Sequence, residues 1–153
     1  MLATLQTLHS IVRWVVLPDL LVALVLCAVA LRSAGAWSPV HKITAIAGLA
    51  ATDLQWVLGA ILWAQSPMVL AARADMGTAM RDPVLRFFAV EHPTMMVLAV
   101  IAVHVGYAKA KRAVDGAAAH KAILIGYGLG LLLMVAAVPW PFRGLVGRPL
   151  LPW

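Results

Sequence analysis

The chain is short of charge and nearly devoid of cysteine, and each shortage removes functions from consideration before any motif is read. Of its 153 residues 12% are charged, with six acidic side chains in all, against 63% hydrophobic. A soluble domain does not have that balance; an integral membrane protein does. The one cysteine, Cys27, has no second thiol to pair with, which excludes a disulfide within the chain and a thiolate cluster. In its apolar run it reads as a small packing residue. There is no paired nucleophile and base and no glycine-rich phosphate loop, so hydrolytic and transferase chemistry find no footing. The formal net charge of +6 calls for no nucleic acid, because the basic residues flank apolar segments and form neither a run nor a basic helix face.

What the sequence does have is four long apolar stretches, Leu5–Leu31, Val40–Trp63, Val84–Tyr107 and Ala122–Pro139. Each is near the ~20 residues needed to cross ~30 Å of hydrocarbon. None alternates in polarity as the strand of a barrel would, so they are predicted to be helices. The expectation is an all-α membrane protein, one domain over residues 1–153, with four transmembrane helices in an up-down-up-down bundle. The helices are placed at about 5–31, 40–63, 84–111 and 120–139. The first run carries Arg13, lacks a basic leading region and shows no cleavage site before Trp37, so it reads as a retained helix rather than a signal peptide. Residues 64–82 are too polar to span and predict a loop with a surface helix, and Asp82-Pro83 suits the cap and first turn of the third helix. The tail 140–153 holds Pro141, Pro149, Pro152, Trp140 and Trp153, and is predicted to be irregular and to pack at the membrane interface.

Four spans put both termini and the 64–82 loop on one face, here side A, and two short loops on side B. Lys42, Lys109, Lys111 and Lys121 fall on side B with Arg32 and Arg112, whereas Arg73, Arg81, Arg86, Arg143 and Arg148 fall on side A. Short, lysine-rich loops favour side B as cytoplasmic, with periplasmic termini in a bacterial inner membrane.

Within this apolar chain stand five histidines. A desolvated imidazole is costly without a partner, so several at membrane depth suggest a ligand set, with haem iron the favoured occupant. In an up-down bundle His9 and His92 share side A, and His41 and His120 share side B. A bis-histidine haem needs its two nitrogens about 4 Å apart across the iron, and both pairs meet the depth condition. His104 is a fifth candidate, 12 residues beyond His92 and so about 120° around the helix at 3.6 residues per turn. His41-Lys42 and His120-Lys121 also suggest two similar hairpins, although helix-end topology alone accounts for the same pattern.

Other residues sharpen the side A site. Arg13 lies one turn after His9, Glu91 precedes His92, and Asp53 with Gln55 comes from the second helix. Charges at such depth cost ~2.5–3.5 kcal/mol each, which argues for a polar intramembrane cluster. Arg13 suits a haem propionate, an anionic substrate head, or a pair with Asp53 or Glu91 that stitches helices. Asp19 follows Pro18 at mid-depth, as a neutral acid or as a partner of backbone freed by the proline. The stripe His41, Ala45, Gly48, Thr52, Gln55, Gly59 and the glycines 126, 128 and 130 leave room either for a flat ligand or for a neighbouring helix. Pro93 either kinks a long third helix or opens a shorter one. Met95 and Met96 one turn further on allow a His/Met axial pair or copper.

Taken together, His9-Ser10-x-x-Arg13-Trp14, Asp53-Leu54-Gln55, Met80-Arg81-Asp82-Pro83 running into Arg86-Phe87-Phe88-Ala89-Val90-Glu91-His92-Pro93, and Pro139-Trp140-Pro141-Phe142 carry a resemblance over nearly the whole chain. The sequence resembles a family of small four-helix bacterial membrane proteins sometimes labelled cytochrome b-like. Ile11-Val12 departs from the Gly-Leu of that pattern. The resemblance implies a b-type haem, with His9, Arg13, Asp53, Glu91 and His92 as the positions carried over. Three functions stay open: a cytochrome passing electrons between a quinone or other membrane donor and a partner, with a second haem on His41, His120 or His104; a cofactor-free subunit or assembly factor of a larger complex or homo-oligomer; and a copper or proton-coupled transport protein using His9, His92, Met95, Met96 and Asp53.

Overall fold

A computed structural model describes residues 1–150 and is helical throughout its core, with no strand among the described residues. The calls on Pro152 and Trp153 lie outside them. Four helices are long and apolar enough to cross a membrane: α1 (Leu2–Arg32), α2 (Pro39–Gln65), α4 (Pro83–Lys111) and α5 (Gly116–Ala137), with a shorter α3 (Pro67–Ala74) between α2 and α4. The chain is a multi-pass membrane protein of the expected architecture.

The buried positions explain the packing. On α1 they are Val16, Leu20, Ala23, Cys27 and Ala30, and on α4 Ala99, Val103, Gly106 and Ala110, spaced by alternating fours and threes. That spacing keeps one seam of each helix facing its neighbours. Lipid tails are as apolar as leucine, so close backbone approach and hydrogen bonds hold the seams together rather than burial of oily surface. The closest approach is α4 on α5: a side chain at Gly126 would strike the Gly106 backbone, and one at Gly130 would meet Val103 Cγ2 at 2.6 Å. The glycines of α5 are therefore filled by α4, and the room expected for a flat ligand at Gly126 and Gly130 does not exist.

Helix ends depart from the expected bounds where capping extends them. Asp115 Oδ1 accepts the Ala118 N–H at 2.7 Å and starts α5 at Gly116, before the apolar run begins. Asp82 Oδ1 accepts the Val84 and Leu85 N–H groups, both at 2.8 Å, ahead of Pro83. On side B α1 closes with Ala34 at φ 50° and a bond from Gly35 N to Ala30 O at 2.8 Å, a Schellman turn built on alanine.

Pro93 neither breaks nor begins a helix. The five residues Phe87–Glu91 form a π-helical turn just ahead of it, inside one continuous span. Proline lacks an N–H and crowds the carbonyl four residues back, here Ala89, and a wider turn relieves that crowding. The freed Ala89 carbonyl accepts the Trp63 indole N–H at 2.9 Å, tying α4 to α2 at side A. Below this, Val69, Ala72, Ala79 and Ala89 form a small separate core under α3, which lies across the side A ends. Asp75 holds the following turn: its carboxylate accepts from Thr78 N and Oγ1, and these bonds keep its pKa below the usual range. The tail folds back, with Arg148 N donating to Pro139 O at 2.9 Å and a 3-10 turn at Gly144–Val146.

Candidate functional site

Towards side A a cavity of about 770 Å³ is walled by all four spanning helices and the tail. His9 of α1 and His92 of α4 both line it, with ring centroids 6.4 Å apart at 76°. His92 is fixed from behind: its Nδ1 donates to the Ala137 carbonyl at the end of α5, at 2.8 Å. That carbonyl is available because α5 stops there, so helix termination on one element orients an imidazole on another. With Nδ1 committed, Nε2 is the nitrogen left for a ligand.

His9 is held differently. The Gln55 amide nitrogen lies 3.0 Å from the His9 carbonyl, to which it donates, and 3.2 Å from His9 Nε2. Flipping the amide would set its oxygen against that carbonyl, so Nε2 is the acceptor and Nδ1 carries the proton. Gly59 lies beneath the ring, where an added Cβ would be 3.0 Å from Cε1. Gly59 thus gives His9 its place, a role that the small-residue stripe of α2 hinted at without assigning. The stripe serves two purposes: Gly48 meets Leu20 and the Tyr127 ring, Ala45 O accepts the Tyr127 hydroxyl, and Thr52, Gln55 and Gly59 face the cavity.

Unspent hydrogen-bonding capacity concentrates here. Of five sealed side-chain polar atoms without a partner among the described residues, His9 Nδ1, Arg13 Nε, Thr52 Oγ1 and Gln55 Oε1 belong to residues of this cavity wall. Buried polar atoms normally find partners, so such a cluster marks a place suited to a polar ligand or ordered water. Met96 and Met134 line the cavity, whereas Met95 is not in its wall, which removes it from the thioether set expected for copper.

The expected charge cluster does not assemble. Glu91 turns to Arg86 at 2.6 Å, five residues back across the π turn. Asp53 lies 3.4 Å from His104 on the lipid-facing side of α2 and α4. Arg13 meets neither carboxylate; its guanidinium donates to the Leu150 carbonyl at 2.7 Å and so holds the tail over the cavity. Trp14 donates to the same oxygen at 3.1 Å. Helix rotation is the reason: proximity in sequence and depth was read correctly, but Glu91 and Asp53 point away from the central line. Asp19 makes no side-chain hydrogen bond among the described residues, so the expected bond to backbone freed by Pro18 is not formed. One lining cation was missed by sequence reasoning, Arg148, whose guanidinium stacks on Phe88 at 4.7 Å; only its place in a proline-bounded tail hinted at it.

Side B is a different structure. His41 and His120 are packed ring to ring, centroids 4.6 Å apart, with Trp37 against both at 5.7 and 5.3 Å. Two metal–imidazole bonds of ~2 Å each leave no room for an iron at that separation. His120 is fully buried and its Nε2 donates to the Gly35 carbonyl at 3.2 Å. His41 Nδ1 lies 2.8 Å from Ser38 Oγ and accepts from Ser38 N–H at 3.4 Å, closing a capping box at the start of α2. The matching His-Lys pairs therefore do unlike jobs, and the expected second haem site on side B is not built. His104 does not serve it either, since its Nδ1 donates to Val100 O at 3.0 Å and its ring faces outward. Among the described residues no three His, Cys, Asp or Glu side chains converge on one metal position. No family model, curated protein or solved structure matches the chain.

Proposed function

We propose that the side A cavity holds a haem b and that the protein passes electrons between a membrane donor of quinone type and a redox partner. The observation that carries this reading is the pair of imidazoles, 6.4 Å between centroids, on the walls of a cavity of about 770 Å³. Allowing for the rings, that separation leaves about two metal–imidazole bonds of ~2 Å between nitrogens. His92 would be the firmer of the two ligands, because its Nδ1 bond to the Ala137 carbonyl is the kind of support a metal-bound histidine needs. On the His9 side the fit requires giving up the Gln55 bond to Nε2, about 1 kcal/mol. Arg13 and Arg148 line the same cavity and would offer guanidinium partners to the carboxylates of a bound macrocycle. Trp63, Phe88, Met96 and Met134 give the cavity an apolar wall against which a flat macrocycle could pack. Haem, when bound, supplies a one-electron couple whose potential axial ligands and burial set. In this reading the protein lies in a bacterial inner membrane with side B cytoplasmic and both termini periplasmic.

A second reading, a cofactor-free subunit of a larger complex or homo-oligomer, is favoured by a specific observation. Polar side chains of the bundle already bind across helices: Gln55 to α1, Tyr127 to α2 and His92 to α5.

Purified protein in mild detergent, made with ample haem, decides between them. The cytochrome reading expects a Soret band that shifts on reduction and is lost in His92→Ala. A colourless protein overturns it. A C-terminal reporter active only in the cytoplasm should stay silent; activity reverses the orientation.

A further inference from the structure

The tail is tied to α1 through one atom. Arg13 Nη2 donates to the Leu150 carbonyl at 2.7 Å and the Trp14 indole N–H to the same oxygen at 3.1 Å, and among the described residues no other hydrogen bond joins the tail to α1. Pro149 has no N–H to give, and Leu150 is exposed. Upstream, Arg148 N donates to Pro139 O at 2.9 Å, which leaves Pro149 and Leu150 as a strap hinged there and fastened at its far end by Arg13 and Trp14. Arg148 and Pro149 are part of the cavity wall, so the strap lies along the cavity while it is fastened.

Arg13 is only partly satisfied by that oxygen. A guanidinium presents Nε–H and one Nη2–H side by side, a fork that the two oxygens of a carboxylate fill together. A carbonyl has one oxygen. Leu150 O takes Nη2, and Nε on the same edge is sealed with no partner among the described residues. The acidic side chains of the chain, six in all, are engaged elsewhere or distant. Asp75, Asp82 and Asp115 cap helices, Glu91 is on Arg86 and Asp53 is beside His104. Asp19 lies six residues further along α1, about 9 Å down the axis. Arg148 is in the same condition, its Nη1 donating to the carbonyl of Gly147 at 2.9 Å. Two guanidiniums thus line one largely apolar cavity with neutral acceptors as their hydrogen-bond partners among the described residues.

We infer that Arg13 is a latch with two positions: it fastens the tail through Leu150 O while the cavity is empty, and takes the carboxylate of an apolar anion on its Nε–Nη2 fork when the cavity fills, which releases the strap. The exchange is favoured because two charge-assisted bonds replace one neutral bond and the sealed Nε gains its partner. A ligand shifts the tail only through that difference, so a molecule of the same shape without the carboxylate leaves the strap fastened. The identity of the anion as haem rests on the cytochrome reading. The latch itself needs an apolar carboxylate, which a porphyrin or a free fatty acid supplies.

The test uses haem-free protein in lipid nanodiscs with a spin label on Leu150→Cys in a Cys27→Ala background, where the label reports the mobility of the strap. Zinc protoporphyrin IX and oleate are the carboxylate probes, each against its methyl ester, which keeps the body of the molecule and offers Arg13 no more than Leu150 O already does. At least one acid should bind at least about ten-fold tighter than its ester, the margin of a charged over a neutral acceptor, and should mobilise the label saturably while its ester does not. In Arg13→Gln the label should be mobile without ligand, and acid and ester should bind alike. A strap that stays fastened with either acid bound overturns the proposal, as does release by acid and ester alike, which would mean displacement by bulk, or a strap still fastened in Arg13→Gln. If Arg13→Gln does not fold, the comparison of acid with ester on the unaltered Arg13 decides by itself. Porphyrin bound with the strap fastened removes the latch and keeps the haem site; release by oleate in a protein that binds no porphyrin keeps the latch and removes the cytochrome reading.

Discussion

The two ends of the bundle use the same residue types for opposite ends. At side B His41, His120 and Trp37 fill their space with ring contacts, and each bonded imidazole nitrogen is spent on the neighbouring loop, Ser38 or Gly35. At side A His9 and His92 stand apart across a cavity, and among the described residues four sealed polar atoms are left over there against His120 Nδ1 alone at side B. Histidine at a helix end is therefore a plug where its neighbours are flat and close, and a candidate ligand where a glycine such as Gly59 or a helix terminus such as Ala137 makes room. Packing density, not residue identity, separates structure from site.

The largest effect that can break this contrast lies between the two ends, where α4 and α5 meet backbone to backbone. Gly126→Leu leaves no way for the helices to close, and should cost about 3 kcal/mol or more. The folded fraction in detergent should collapse, while Gly128→Ala, with Leu24 Cδ2 as nearest neighbour at 3.9 Å, should leave it unchanged. Equal behaviour of the two would mean that α4 and α5 are not packed as described. Next comes His120→Ala, which empties a fully buried site beside Trp37 and leaves the Gly35 carbonyl bare. Thermal unfolding in detergent should show a loss of about 2–4 kcal/mol with no change in any side A absorption band. A spectral change would show that side B holds a cofactor after all. Smaller still is Gly59→Ala, whose methyl group presses on His9 at 3.0 Å. Stability should fall by about 1 kcal/mol while a side A haem spectrum, if haem is bound, shifts or broadens. An unaltered spectrum in that variant would detach His9 from the iron.

How much of this was legible in the sequence follows from what each signal measures. Hydropathy over ~20 residues marks spans well, because the bilayer sets the length, and the four helices were found that way. Depth was legible too, which brought His9 to His92 and His41 to His120. Rotation was not: a helix turned by one residue moves a side chain ~100°, enough to send Asp53 to His104 and Glu91 to Arg86 instead of to Arg13. The π turn before Pro93 contributes to that rotation, and the proline announces a distortion without saying which form it takes. Gly126 and Gly130 were ambiguous for a simpler reason, since a missing side chain says that something comes close without saying what.

The smallest expected effect probes the side B turn. Ala34 sits at φ 50°, a left-handed conformation that an L side chain tolerates poorly and glycine adopts freely. Ala34→Gly removes strain of about 1–2 kcal/mol but adds about 0.4–1 kcal/mol of unfolded-chain entropy, so a net gain of about 0.5 kcal/mol should appear as a slightly higher unfolding midpoint. The turn does not stand alone, because the Gly35 carbonyl it presents is the one His120 holds. In the His120→Ala background that constraint is gone, the turn can relax without glycine, and the gain from Ala34→Gly should shrink toward zero. An equal gain in both backgrounds would mean that turn and histidine act independently, and that the tight end of the bundle is held by ring packing alone.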